Sequence, residues 1–181
     1  MPAPDWNVLA TAYDGEFPEA LTLLSRFGDV RGSTYRNVLV MKVDDVVAFL
    51  EALQSTLEKD ASLANAVSRI VPITHGFTFS SAEEFESKSR GIVSEWVPEL
   101  RGKRFHVRMH RRGFKGKLSS QHEEQFLDVF LLERVKVAGT AAAIDFDDPD
   151  VIIAVETLGH EAGLSRWTRE QLQTYELLRL D

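Results

Sequence analysis

The chain contains no cysteine, which excludes disulfides, thiolate nucleophiles and cysteine-ligated zinc. It also lacks a long apolar segment, since runs such as residues 151–155 are far shorter than the roughly 20 residues of a membrane-spanning helix. The first residues, Met-Pro-Ala-Pro-Asp-Trp, lack the basic region and apolar core of a secretory signal. We therefore expect a cytoplasmic protein without a membrane span.

One segment lacks negative charge. Residues 101–117, RGKRFHVRMHRRGFKGK, hold eight of the chain's 21 Lys and Arg residues and none of its 28 acidic residues. The rest of the chain keeps 13 basic and all 28 acidic side chains, and the formal net charge is -7. A positive segment on an acidic background attracts a polyanion to one place. We call residues 101–117 the basic strip and expect it to bind nucleic acid.

The first 73 residues alternate between strand and helix patterns. Period-two alternation of apolar residues predicts strands, and three-and-four spacing predicts amphipathic helices, the second of them with Asp44 as its N-cap. The predicted elements span residues 6–12, 17–27, 30–34, 37–43, 46–57 and 66–73. Their order, β-α-β-β-α-β, is the ferredoxin-like arrangement.

Residues 74–80 lack clear periodicity and contain Gly76, which makes them the best candidate for a domain boundary. We therefore expect a first domain of residues 1–73, a second of residues 74–167, and a helical tail of residues 168–181.

Capping boxes predict two helices in the second domain, one after Ser81 with Glu84 and one after Ser120 with Glu123. Between them, alternation predicts a strand in the basic strip. The inward set is Phe105, Val107 and Met109, and the set on the opposite face is Arg104, His106, Arg108 and His110. Further strands are expected at residues 141–146, 151–157 and 162–167.

Residues 111–117 form a glycine-punctuated cationic loop that leads into a helix start, where free N–H groups also favour an anion. Phe114 in this loop has two open interpretations, a ring that stacks on a base or a local hydrophobic anchor. The loop does not have the spacing of a phosphate-binding P-loop.

Other clusters have weaker chemical interpretations. His106 and His110 have helical metal-ligand spacing but lie in a predicted strand. His122 and Glu123 are neighbours in sequence, which points their side chains apart, so we expect surface positions. Four aspartates within residues 145–150 favour a structural turn. We therefore expect no metal site.

An ordered set of segments resembles the THUMP domain family. The set is Arg69-Ile-Val-Pro, Phe105-His-Val-Arg-Met-His-Arg-Arg, the helix start at Ser119, Ile144-Asp-Phe-Asp-Asp-Pro-Asp, Val151-Ile-Ile-Ala-Val-Glu and Ala162-Gly-Leu-Ser. The resemblance covers about residues 69–165. It implies an α+β fold in which an N-terminal ferredoxin-like unit precedes an α/β THUMP-like domain.

The resemblance implies a tRNA-binding platform for the acceptor arm and its 3′ end. The chain looks most similar to stand-alone members that help a separate acetyltransferase make N4-acetylcytidine in tRNA. This implies tRNA and such an enzyme as partners, no cofactor, and a protein that is not itself an enzyme. The expected RNA-binding residues are Lys103, Arg104, Arg108, Arg111, Arg112, Phe114, Lys115 and Lys117.

Two other functions stay open. A small metal-assisted hydrolase would use the His and Asp clusters, for example His106 or Asp147. An oligomeric interaction module would place its basic strip against an acidic face of another copy.

Overall fold

The computed structural model describes residues 2–180 and shows an α+β protein with two sheets. Its contacts divide these residues into two compact units. The first unit contains residues 5–73 and 170–180, and the second contains residues 2–4 and 74–169. Among the helices of residues 2–180, none combines the length and apolar composition needed to cross a membrane.

The first unit contains a four-stranded antiparallel sheet with strand order β2-β3-β1-β4. Its elements are β1 (Val8–Ala12), α1 (Phe17–Leu24), β2 (Asp29–Gly32), β3 (Val38–Lys42), α2 (Val46–Lys59), α3 (Ser62–Ala66) and β4 (Val67–Pro72). This order is consistent with the ferredoxin-like arrangement, with the short helix α3 added before β4. The N-cap of α2 is Asp45, whose carboxylate accepts the Ala48 N–H at 3.0 Å, and not the predicted Asp44.

The C-terminal residues cover the free edge of β4 in the first unit. The helix there, α6 (Arg169–Thr174), is shorter than the predicted helical tail. Beyond it, the Leu177 carbonyl accepts the Ile70 N–H at 2.8 Å, and the Arg179 carbonyl accepts from Arg69 Nε at 3.0 Å. Because an uncovered edge strand exposes unpaired backbone groups, these contacts protect β4.

The second unit contains a five-stranded mixed sheet with strand order β5-β9-β8-β6-β7. Its elements are β5 (His75–Thr78), α4 (Ala82–Ser94), a 3₁₀ helix (Val97–Leu100), β6 (Arg104–His110), α5 (Ser120–Val137), β7 (Ala143–Ile144), β8 (Val151–Leu158) and β9 (Glu161–Thr168). β6 runs parallel to β7 and β8, and the other pairs are antiparallel. β5 lies where the sequence shows no periodicity, and β7 is shorter than predicted.

Helices α4 and α5 form one core with a face of this sheet, which includes Phe105 and Val107 from β6. The predicted cap of α4 is confirmed, since Ser81 Oγ accepts the Glu84 N–H at 3.1 Å. The cap of α5 is Ser119 and not Ser120, because Ser119 Oγ accepts the His122 N–H at 3.3 Å. The loop of residues 111–117 therefore ends within two residues of the cap.

We expect Leu177→Ala to lower the free energy of unfolding by about 2–5 kcal/mol, because this buried side chain would leave a cavity. Leu177 is 1% exposed. Urea denaturation measures the loss, and Gln173→Ala, on an exposed residue of the same tail, is the control. Equal stability of the two variants would show that the tail does not stabilise the first unit.

Candidate nucleic-acid interface

The basic strip is exposed at its two ends and enclosed in its middle. Arg101, Lys103 and Arg104 are exposed at one end, and Lys115 and Lys117 at the other. The middle is β6, which lies between β8 and the two-residue β7 in the sheet. Seven residues of strand place the two ends roughly 20 Å apart, at about 3.3 Å per residue. The strip therefore offers two separate cationic surfaces.

The two faces of β6 differ from prediction in one respect. Phe105, Val107 and Met109 are buried in the core, as predicted. The opposite face is not presented to solvent: His106 is 3% exposed, and its ring centroid lies 5.4 Å from that of Phe146.

This second face is enclosed because its neighbours on β8 are buried too. His106, Arg108 and His110 are in register with Ile152, Ala154 and Glu156, which are 7%, 2% and 1% exposed. Arg108 and His110 are themselves half-buried. The alternation of apolar and polar residues predicted that one face of β6 is solvated. Strands that pair with parallel neighbours are commonly covered on both faces of the sheet.

At the first end of the strip, an aspartate-rich turn engages Arg104. Its guanidinium lies 3.4 Å from both Asp145 and Asp150, and the Asp150 carboxylate also accepts the Arg104 backbone N–H at 2.8 Å. This backbone hydrogen bond, with side-chain hydrogen bonds from Arg169 and Arg104, lowers the pKa of Asp150 to about 2.

The same turn is also held by hydrogen bonds to its own backbone. Asp145 accepts the N–H groups of Asp147 and Asp148 at 2.9 Å each. The aspartates therefore form a structural turn, and Lys103 beside it stays exposed.

At the other end, the loop of residues 111–117 has an unusual backbone. Gly113, Phe114 and Gly116 have φ values of 90°, 52° and 79°, in the left-handed region that L-residues other than glycine rarely adopt. The Arg111 guanidinium donates to the Gly113 carbonyl, and the N–H groups of Lys117 and Leu118 donate to the Phe114 carbonyl at 3.0 Å. These bonds hold the loop in a defined shape.

The Phe114 ring packs against two other rings. Its centroid lies 4.9 Å from both Phe79 and His160, and it joins the apolar core of the second unit. These contacts favour the anchor interpretation, because a packed ring offsets the strain of a positive φ. Stacking of Phe114 on a base stays a prediction.

Arg112 forms a buried ion pair at the start of this loop. Its Nη1 donates to Glu156 Oε2 at 2.7 Å, with the two side chains 16% and 1% exposed. His110 Nδ1 lies 3.6 Å from Glu156 Oε1, and the Arg112 N–H donates to Thr157 Oγ1 at 3.0 Å. The pair fixes the loop to the end of β8. No local sequence signal revealed Glu156 as the partner.

A pocket of about 550 Å³ opens beside the loop, between the starts of α4 and α5. Its lining combines cationic side chains from the loop, acidic side chains from both helices, and the start of α5. These residues are Ala82, Glu83, Glu86, Arg111, Gly116, Lys117, Leu118, Ser119, Ser120, His122 and Glu123. The free N–H groups and dipole at the start of the 18-residue α5 favour an anion near Lys117.

Two carboxylates of α5 attach the helix to β6. β7 pairs only with Arg104 and Phe105, so the next N–H groups on this edge need other acceptors. Asp128 accepts the Val107 N–H at 2.8 Å, and Glu124 accepts the Met109 N–H at 2.9 Å. Burial raises the pKa of Asp128 to about 7, although the Val107 hydrogen bond opposes this rise.

Comparison with known proteins finds similarity in structure only. No protein-family model matches the sequence. No curated protein matches it either.

Three solved structures illustrate the likeness. PH1313 from Pyrococcus horikoshii Ot3 is 13% identical with a TM-score of 0.54, over 90% of this chain and 55% of that one. TrmN from Thermus thermophilus is 19% identical with a TM-score of 0.58, over 90% and 45%. A 4-thiouridine synthetase solved with RNA and bound ATP is 18% identical with a TM-score of 0.53, over 91% and 42%. The chain thus spans about half of these proteins or less.

At such low identity, the likeness shows the fold alone. It supports the THUMP-like α+β fold that the resemblance in sequence implies. It also corrects one prediction. The expectation that the chain is not an enzyme is wrong, because similar structures include the 4-thiouridine synthetase and a protein assigned as a methyltransferase and solved with SAH.

We expect Arg112→Ala to destabilise the protein by about 3–5 kcal/mol, because the buried Glu156 carboxylate loses a cation that lies 2.7 Å away. Arg112→Ala with Glu156→Gln should recover part of the loss, since no buried charge then remains. Denaturant unfolding measures both variants, with Lys115→Ala as the exposed control. A loss no larger than that of Lys115→Ala would contradict the structural role of the pair.

The raised pKa of Asp128 predicts a pH dependence of stability. Its folded pKa of about 7 lies above the ordinary value of 3.8, so its contribution is fully present below pH 3.8 and is lost as the pH rises through 7. From pH 5 to 8, wild type should lose on the order of 1–3 kcal/mol more than Asp128→Asn, which keeps an acceptor for Val107. Urea midpoints at several pH values measure this difference. Parallel pH profiles would contradict it.

Proposed function

We propose that the chain binds tRNA through the loop of residues 111–117 and the start of α5, and presents it to a tRNA-modifying enzyme. The observation that carries this proposal is the exposed pair Lys115 and Lys117 beside the N-terminus of an 18-residue helix. Lysine side chains and free helix N–H groups both bind phosphate oxygens. A phosphate polymer can contact both at once.

The fold supports RNA as the polymer. One similar structure is a 4-thiouridine synthetase in complex with RNA. The resemblance to stand-alone THUMP proteins supports an acetyltransferase that makes N4-acetylcytidine as the class of enzyme partner. A cytoplasmic location belongs to the same proposal.

The residues of the basic strip take different roles in this proposal. Lys115 and Lys117 contact phosphates directly, and Arg111 at the pocket supports them. Arg112 and Phe114 hold the loop in shape through Glu156 and through the aromatic core.

At the far end, Lys103 forms a second contact, supported by Arg104, while Arg108 adds positive potential between the two ends. The two contacts are separated by roughly 20 Å, the length of β6, and an extended RNA backbone can span that distance.

Replacing the two exposed lysines tests this proposal. Lys115→Glu with Lys117→Glu should weaken tRNA binding by more than about tenfold at 0.1 M salt, because two phosphate contacts become repulsions. The plot of log affinity against log salt should have a slope of roughly -3 to -4 for wild type and be shallower by about 2 for the variant. Fluorescence anisotropy of labelled tRNA over a salt series measures both quantities.

A matched control comes from the other end of α5. Arg134→Glu with Lys136→Glu makes the same charge change on exposed residues, at roughly 20 Å from the helix start. This variant should bind within about threefold of wild type. Equal weakening by both double variants would show that net charge, and not this loop, determines binding. Absence of tRNA binding at low salt would contradict the proposal, and salt-dependent self-association would then favour the interaction module.

A further inference from the structure

Three potential metal ligands meet at the pocket beside the loop, on two different helices. Glu86 belongs to α4, and His122 and Glu123 belong to the first turns of α5. One ligand atom from each lies within 4.8 Å of the other two. His122 Nε2 is 3.6 Å from Glu86 Oε1 and 4.0 Å from Glu123 Oε1. His122 and Glu123 are adjacent residues of α5, and both lie near one carboxylate because Glu86 on α4 faces the two of them.

Glu123 supplies an independent sign of a missing ligand. Its side chain is 1% exposed, yet no N–H or O–H group within residues 2–180 donates a hydrogen bond to Oε2, and its polar neighbour across the helices is another carboxylate, Glu86. A buried carboxylate oxygen without a partner is costly, and such groups are usually paired or coordinate a metal. The side chain lines the pocket together with Glu86 and His122.

On the helix side of the pocket, away from Arg111 and Lys117, the carboxylates favour a cation over an anion. Glu83, Glu86 and Glu123 all line the pocket. The dipole at the start of α5 supplies only about half a positive charge, too little to balance these carboxylates. Arg111 and Lys117 lie on the loop side of the pocket, and the structure shows no ion pair from either to Glu86 or Glu123.

Two of the three ligand separations are close to those around a small ion, and the third, between Glu86 and Glu123, is within 4.8 Å. Ligands about 2.1 Å from a tetrahedral ion lie roughly 3.4 Å from one another. The 3.6 Å separation of His122 and Glu86 is already close to that value. The 4.0 Å separation of His122 and Glu123 needs a small shift, and the 67% exposed His122 side chain can make it.

We propose that Glu86, His122 and Glu123 bind one divalent first-row transition-metal ion, with zinc as the best-suited ion. Imidazole nitrogen and carboxylate oxygen are ligands that Zn²⁺ accepts, and the imidazole disfavours Mg²⁺ and Ca²⁺. Three protein ligands leave a coordination position that faces the pocket. The ion ties the start of α4 to the start of α5.

Calorimetric titration of ZnCl₂ into chelator-treated full-length protein tests this site. Wild type should bind one ion, and Glu123→Gln and His122→Ala should each weaken binding by more than about tenfold. Because His122 is exposed, His122→Ala remains informative if the change at the buried Glu123 prevents folding. The matched control is Glu95→Gln, which alters an exposed His–Glu pair, His75 and Glu95 at 3.2 Å, that gains no third ligand within residues 2–180.

A second readout is thermal unfolding with and without ZnCl₂. Bound metal should raise the midpoint of wild type and Glu95→Gln by a few degrees and leave His122→Ala unchanged. Binding that persists equally in Glu123→Gln and His122→Ala would overturn the site. Absence of binding to wild type would also overturn it and would indicate that Glu86 and Glu123 share a proton instead.

Discussion

The unpaired edge of β6 is the constraint on which the second unit depends. Beyond Phe105, this edge pairs with no strand in the described part of the chain, and a buried N–H group left without an acceptor costs about 1–3 kcal/mol. Helix α5 supplies the acceptors through Asp128 and Glu124. These bonds fix the helix against the strand. They thereby fix the position of the helix start, where the cationic loop, the pocket and the proposed metal ligands lie.

The basic strip combines structural and exposed charges. Folding brings carboxylates from distant parts of the sequence to Arg104 and Arg112, which relieves repulsion within the strip. The exposed lysines at its ends remain available for a ligand. Like charges that are close together in the sequence therefore do not form one continuous surface in the folded protein. The basic strip is a strand with exposed basic side chains at each end, and the end beside α5 adjoins a helix start.

Sequence patterns predicted most elements of the fold, apart from α3 and β5, but not the pairings between them. Alternation identified the buried set on β6, because period two follows from strand geometry. It could not show that His106 is buried as well, since this depends on β8, more than 40 residues away. The ion pair of Arg112 with Glu156 has the same long-range origin. The spacing of His122 and Glu123 indicated side chains that point apart, and only the packing of α4 against α5 brings Glu86 to both.

Hydrogen exchange with and without tRNA tests the central claim most directly, namely that the loop of residues 111–117 and the start of α5 form the RNA contact. Mass spectrometry of peptic peptides reports slower amide exchange where RNA covers or rigidifies the backbone. The account predicts that tRNA slows exchange in peptides spanning residues 111–122, with a smaller effect around residues 101–104. Saturating tRNA that leaves residues 111–122 unchanged, while it protects other segments, would contradict it.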